Sequence, residues 1–105
     1  MVSIEKETQK TILQYLELKK IFHYRQNSGG FKTDNGHFYR MGITGAPDII
    51  AVYKGVYIGI EVKDIKGKQS EGQKDFQERL ENAGGIYILA KSLDDVINKL
   101  KTFAI

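Results

Sequence analysis

The apolar positions fall into seven runs that switch between helical and extended spacing. Over residues 4–20, Ile12, Leu13 and Leu16 form a stripe at helical spacing that no glycine or proline interrupts. Glu5 and Gln9 continue this stripe toward its start, at positions 5, 9, 12 and 16, while Glu7 falls on the flank with Thr11 and Leu18. Residues 21–27 read as a ragged strand, and residues 28–45, with Gly29, Gly30, Gly36, Gly42 and Gly45, read as a loop. Two β-prone runs follow, 49–53 and 56–62, separated by Lys54-Gly55, a pair suited to a tight hairpin. Ser70 opens a second helix, and Gln73, three residues on, completes a capping box. Phe76, Leu80 and Ala83 mark the inward side of that helix, and Gly84-Gly85 its end. Residues 86–90 form a short buried strand, after which Ser92 caps an amphipathic helix running through Leu93, Val96, Ile97, Leu100 and Phe103. The order α-β-β-β-α-β-α predicts an α/β fold, a small mixed sheet flanked by helices.

The hairpin brings chemistry with it. With Lys54-Gly55 as the turn, Tyr53 faces Val56, Ile50 faces Gly59, Ile49 faces Ile60, and Asp48 faces Glu61. Directly opposed residues have Cβ atoms about 4.5–5.5 Å apart, so two acids distant in sequence are expected to meet. Lys63 lies two residues beyond Glu61 and points to the same side. The alternate positions, Ile49, Ala51, Tyr53, Val56, Ile58, Ile60 and Val62, make a wholly apolar face that has to be buried. Carboxylates this close repel one another unless a proton or a cation lies between them. Oxygen donors without histidine or cysteine favour Mg²⁺, with Mn²⁺ as a substitute, and the Val62 carbonyl offers a further oxygen. Such an ion polarises a phosphoryl oxygen and lowers the pKa of a bound water, while Lys63 holds that water or offsets charge on the phosphate. The competing reading of the same residues is a surface salt bridge worth at most about 1 kcal/mol. The register is also exposed to one error, since a one-residue bulge sends Asp48 and Glu61 to opposite faces.

Composition narrows the choice. A chain of 105 residues is expected to be one domain, long enough to fold without staples. It has no cysteine, which excludes disulfides, thiolate metal sites and cysteine nucleophiles. No apolar run reaches the length of a membrane span and no signal-peptide pattern opens the chain, so an intracellular protein is expected. The net charge of +3 alone says little, but Arg25, Lys32, His37 and Arg40 fall among Phe31, Phe38 and Tyr39 in the glycine-rich stretch. That stretch is either a solvated loop or a surface for a phosphate backbone, with Arg25, Lys32 and Arg40 as the contacts. His23 and His37 have no ligand-like spacing; the first reads as a strand residue and the second as a loop residue.

Pro47-Asp48, twelve intervening residues and Glu61-Val62-Lys63 resemble the PD-(D/E)xK nuclease signature. Together with Gly45-Ala46 before them, Ser70-Glu71-Gly72-Gln73 after them, the segment 25–29 and the element order, they resemble more narrowly a stand-alone VRR-NUC (virus-type replication-repair nuclease) domain. The resemblance runs from the first helix to about Ala90. It implies a restriction-endonuclease-like fold and a Mg²⁺- or Mn²⁺-dependent DNA endonuclease, with Asp48, Glu61 and the Val62 carbonyl as metal ligands and Lys63 as the catalytic lysine. It also implies a site role for Gln73, set against a purely capping one, and an acid from the first helix, Glu5 in preference to Glu7. Stand-alone members resemble Holliday-junction resolvases, so the implied partners are branched DNA and a second copy of the chain, in the cytoplasm of a bacterial or phage-infected cell. Two other readings remain: a nuclease-fold module that binds nucleic acid without cutting it, and a nuclease of linear DNA or RNA with no junction preference.

Overall fold

The structure, a computed structural model, describes residues 3–26, 30–40 and 43–105, without the side chains of residues 30, 31 and 38–40. Ser3 starts helix α1 (Ile4–Leu18) by accepting a hydrogen bond from the Lys6 backbone N–H at 3.1 Å. The first strand, β1 (Phe22–Arg25), pairs antiparallel with β4 (Ile49–Tyr53), which turns back into β5 (Val56–Val62). Lys54 and Gly55 make that turn with φ of 48° and 83°. Two successive positive values fit a type I′ turn, whose twist matches that of its strands. The register follows: Tyr53 pairs with Val56, Ile50 with Gly59 and Ile49 with Ile60, as the turn chemistry predicts. Helix α2 (Glu71–Asn82) then crosses over to β6 (Ile86–Ala90), which lies parallel to β5, and α3 (Leu93–Thr102) follows. The sheet order is β1-β4-β5-β6.

The expected order of helices and main-sheet strands holds. Residues 28–45, read as a loop, carry in addition a two-stranded hairpin, β2 (Gly30–Lys32) and β3 (Phe38–Arg40). Its strands are three residues long, too short for a period of two to register against so many glycines. Thr33 N–H donates to the His37 carbonyl at 2.8 Å and Gly36, at φ 87°, supplies the bend.

The two faces of the main sheet are covered differently. Ile49, Ala51, Ile58, Ile60, Val62, Ile86, Ile88 and Ala90 pack with Ile12 and Leu16 of α1 and Val96 and Leu100 of α3 into one core. The opposite face meets α2, whose Phe76 ring lies 6.5 Å from that of Tyr87. No residue of α2 is fully buried; Phe76 and Leu80 are half-buried. Ala83, expected on the inward side, is exposed because it is the C-cap, followed by Gly84 at φ 92°. The approach to β4 is fixed by a close backbone contact. Gly45 takes φ 80°, and a Cβ there would collide with the Gly72 carbonyl at the start of α2. Ala46 and Pro47 are buried beyond it, which leaves the next residue, Asp48, at the end of the sheet.

Candidate active site

Asp48 is the last residue before β4, and hydrogen bonds from two segments converge on it. Its Oδ2 accepts from the Val62 N–H at 2.8 Å, and its carbonyl accepts from the Gln26 N–H at 2.7 Å. The side chain therefore closes the end of the β4–β5 ladder and is held there by β5, just as its backbone is held by the chain leaving β1. Glu61 is the next-to-last residue of β5 and is 5% exposed, the buried charged residue among those described. The Lys63 ammonium lies 3.8 Å from Glu61 Oε2, and the Lys63 N–H donates to the Ala90 carbonyl at 3.0 Å, so β6 steadies the segment that carries it. Glu5 arrives from α1: its Oε1 accepts from the Asp64 N–H at 3.2 Å.

These groups line one open cleft of about 260 Å³, together with Lys6, Gln9, Arg25 and Val62. The Val62 side chain belongs to the core, so its main chain is what the cleft receives. Of the two first-helix acids considered, Glu5 lines the cleft; Glu7 is exposed and is not among the lining residues.

The electrostatics follow from burial. Desolvation pushes the Glu61 carboxyl up to about 8, and the Asp48 charge adds to it, followed by a hydrogen bond to Asp48 and the charge of Glu5; Lys63 opposes the rise. A carboxyl in that position tends to hold a proton, and a cation between the two acids removes the reason to hold it. Among the described residues no three His, Cys, Asp or Glu side chains gather as a metal cluster. The donor set is sparser: two carboxylates and the main chain of Val62 at an open, water-accessible cleft. Mg²⁺ commonly takes such a set, since it keeps several waters and needs only one or two carboxylates. The residues fit the ion.

Other expected site residues fall elsewhere. Gln73 accepts from the Ser70 N–H through Oε1 at 2.9 Å, while Ser70 Oγ accepts from the Gln73 N–H at 3.2 Å. This is the capping-box arrangement, and Gln73 is not among the cleft-lining residues. Arg25 lines the cleft, whereas Lys32 is exposed on β2 and does not. The side chain of Arg40, and residues 27–29 of the segment 25–29, lie outside the described residues. His23 is a strand residue as read, its Nδ1 2.7 Å from the Ile21 carbonyl.

The structure adds a feature that the sequence reading passed over. A groove of about 510 Å³ continues from the cleft along α1, shares Lys6, Gln9 and Arg25 with it, and adds Lys10, Leu13 and Gln14. Lys6 and Lys10 are one helical turn apart, a spacing visible in the sequence but identical to that of any solvated helix face.

No model of a known protein family matches the chain, and no curated protein does. Solved structures do. One named "VRR_NUC domain" superposes with a TM-score of 0.70 at 22% identity, over 95% of this chain and 97% of its own. Another, named "VRR_NUC domain protein", gives a TM-score of 0.60 at 20% identity, over 97% of this chain and 88% of its own. The chain has the α/β fold of these proteins, as the sequence resemblance implied.

Proposed function

We propose that this chain is a metal-dependent nuclease domain of the VRR-NUC kind, spanning residues 1–105, that hydrolyses DNA phosphodiester bonds. Asp48, Glu61 and the Val62 carbonyl hold Mg²⁺ or Mn²⁺, and Lys63 is the catalytic lysine. One observation carries the reading: Glu61 is buried beside a second acid, at the mouth of an open cleft that also presents a lysine. Burying a carboxylate next to a like charge costs stability, and a cation held between the two acids offsets that cost.

When bound, the ion supplies Lewis acidity toward the phosphoryl oxygen and acidity to a coordinated water. The protein's own groups do the rest. The Val62 N–H fixes the Asp48 carboxylate at the end of the β4–β5 ladder, where it lines the cleft beside Glu61. The Lys63 ammonium orients the attacking water and offsets charge that develops on the phosphate, where a preorganised donor is worth about 2.7–4 kcal/mol. Glu5, tied to the Asp64 N–H, marks the α1 side of the cleft. Arg25, Lys6 and Lys10 lie along the continuous groove and take the phosphate backbone. Contacts of this kind position a duplex without reading its sequence, which suits an enzyme directed by DNA shape. The substrate we assign is branched DNA of the four-way-junction type, cut by a homodimer, because paired incisions need two sites related by a twofold axis.

The test uses purified protein with labelled four-way junction, flap, linear duplex and RNA, each titrated with Mg²⁺ and Mn²⁺. Cleavage in either ion, none in EDTA, and a preference for the junction are expected. Glu61→Ala and Lys63→Ala should each lower the rate by about 10²–10³-fold or more while DNA binding persists. Turnover retained in either variant removes the site assignment. Equal cutting of all substrates would leave a nuclease without junction preference, and a DNA complex with no cutting in either ion would leave a binding module.

A further inference from the structure

Helix α2 covers part of its face of the sheet. It lies toward β5 and β6, where Phe76 meets the Tyr87 ring and Leu80 approaches the Cβ position of Gly59. β1 is the opposite edge of the sheet. Its register sets Phe22 against Val52 and Tyr24 against Ile50, residues that alternate with the core positions Ile49 and Ala51. Phe22 and Tyr24 therefore leave the sheet on the side away from α1, and they are 67% and 47% exposed. Their ring centroids are 6.1 Å apart with planes at 63°, so the rings are not stacked on one another.

Charge, place and spacing each bear on what this aromatic strip receives. Residues 19–26 contain Lys19, Lys20 and Arg25 and no acid, and all three cations are exposed. Lys19 and Lys20 precede β1 and Arg25 ends it, so positive charge flanks the two rings. Arg25 also lines the cleft of Asp48 and Glu61, so the strip adjoins that cleft around the edge strand. Residues two apart on a strand are about 6.6–6.8 Å apart, about twice the 3.4 Å between nucleotides of one duplex strand. Bases seated on successive rings are therefore drawn out of their stack. Paired bases inside a duplex have no free face to offer, whereas unpaired strands are held by aromatic faces in a cationic groove. A second copy of the chain fits this strip less well. Pairing β1 antiparallel with its own copy sets two acid-free, cationic segments against each other.

We propose that Phe22 and Tyr24 form a stacking platform for bases of an unpaired DNA strand that leaves the cleft past Arg25. This rests on the nuclease reading above and refines its substrate to a branch with unpaired nucleotides beside the scissile phosphate. The cations at the two ends of β1 take phosphates of that strand. The rings take its bases without regard to sequence, since every base has a π face.

Two double variants test it. Phe22→Ala/Tyr24→Ala removes both rings, and Phe22→Leu/Tyr24→Leu keeps apolar bulk without π faces. Both rings are exposed, so both variants should fold; melting curves check this, and the leucine pair carries the test if the alanine pair unfolds. Fluorescence anisotropy in EDTA measures the binding of a labelled oligothymidylate and of a blunt duplex of the same length. In both variants the ratio of single-strand to duplex affinity should fall at least about 5-fold, the smallest loss expected for one unseated base. The chain has no tryptophan, so its emission is tyrosine emission, and the oligothymidylate should quench it more in wild type than in either variant. With Mg²⁺ or Mn²⁺, wild type should cut a flap with unpaired nucleotides faster than a fully paired nicked duplex, and the variants should lose that preference. An affinity ratio equal in wild type and both variants overturns the proposal. So does a ratio that falls with alanine and is kept with leucine, since apolar surface then suffices without stacking. Sedimentation that shows a wild-type dimer and monomeric variants would make the strip a contact between copies, which also overturns it. If wild type cuts nothing in either ion while the ratio falls as expected, the nuclease reading fails and the platform stands.

Discussion

Glu61 sets a pH dependence whose sign can be worked out. Its carboxyl is raised from 4.5 in the unfolded chain to about 8 in the fold, mainly by desolvation. Between those values the folded state binds the proton more tightly than the unfolded state, so metal-free stability is greatest below 4.5 and declines as pH rises toward 8. Each unit of that window costs at most about 1.4 kcal/mol. Glu61→Gln removes the titration while keeping the shape. In EDTA at pH 8 it should melt above wild type, and the gap should close when both are measured at pH 4.5. Mg²⁺ should reverse the ranking, because it stabilises the folded state by mass action only where the carboxylate is present to bind it. Melting curves of both proteins across pH, with and without Mg²⁺, check this; a Glu61→Gln protein that Mg²⁺ stabilises as much as wild type would contradict it.

The β4–β5 hairpin is the element in which sequence logic reached furthest. Lys54-Gly55 demands a turn with two positive φ values, that turn sets the pairing, and the pairing sets which side chains share a face. The register down to Ile49–Ile60 follows from two residues. Helix α2 was equally legible at its start, where Ser70 and Gln73 cap each other. Removing either partner should cost about 1 kcal/mol, or about 4–8 °C of melting temperature in a chain of this size. Ser70→Ala and Gln73→Ala should therefore lose similar stability. A loss of cleavage in Gln73→Ala that Ser70→Ala does not share would give Gln73 the second role that the resemblance implied. Three features were not legible, each for a physical reason. The β2–β3 hairpin is built from strands too short to show a period. Lys6 and Lys10 become notable only because β1 brings Arg25 beside them in the same groove. Phe22 and Tyr24 sit in a run that reads simply as a ragged strand, and their exposure depends on α2 lying toward the other edge of the sheet.

On the scale of the molecule, the net charge of +3 is small, so nucleic-acid affinity has to come from where the charges lie. If phosphates follow the groove along α1, log affinity should fall linearly with log salt. Lys6→Ala and Lys10→Ala should each reduce that slope by about 1 and weaken junction and duplex alike. Fluorescence-anisotropy titrations at several salt concentrations would show this, and an unchanged slope in both variants would move the DNA to another surface. The contact between Gly45 and Gly72 has a wider bearing. Two stretches of bare main chain meet there, one leading into Asp48 and the other into α2, so whatever loosens the seat of the helix also swings the acid away from the cleft. Gly45→Ala should thus impair cleavage and folding in step, although it touches no group that handles substrate. Tolerance to substitution in this protein should accordingly follow the spliced backbone rather than distance from the reacting phosphate.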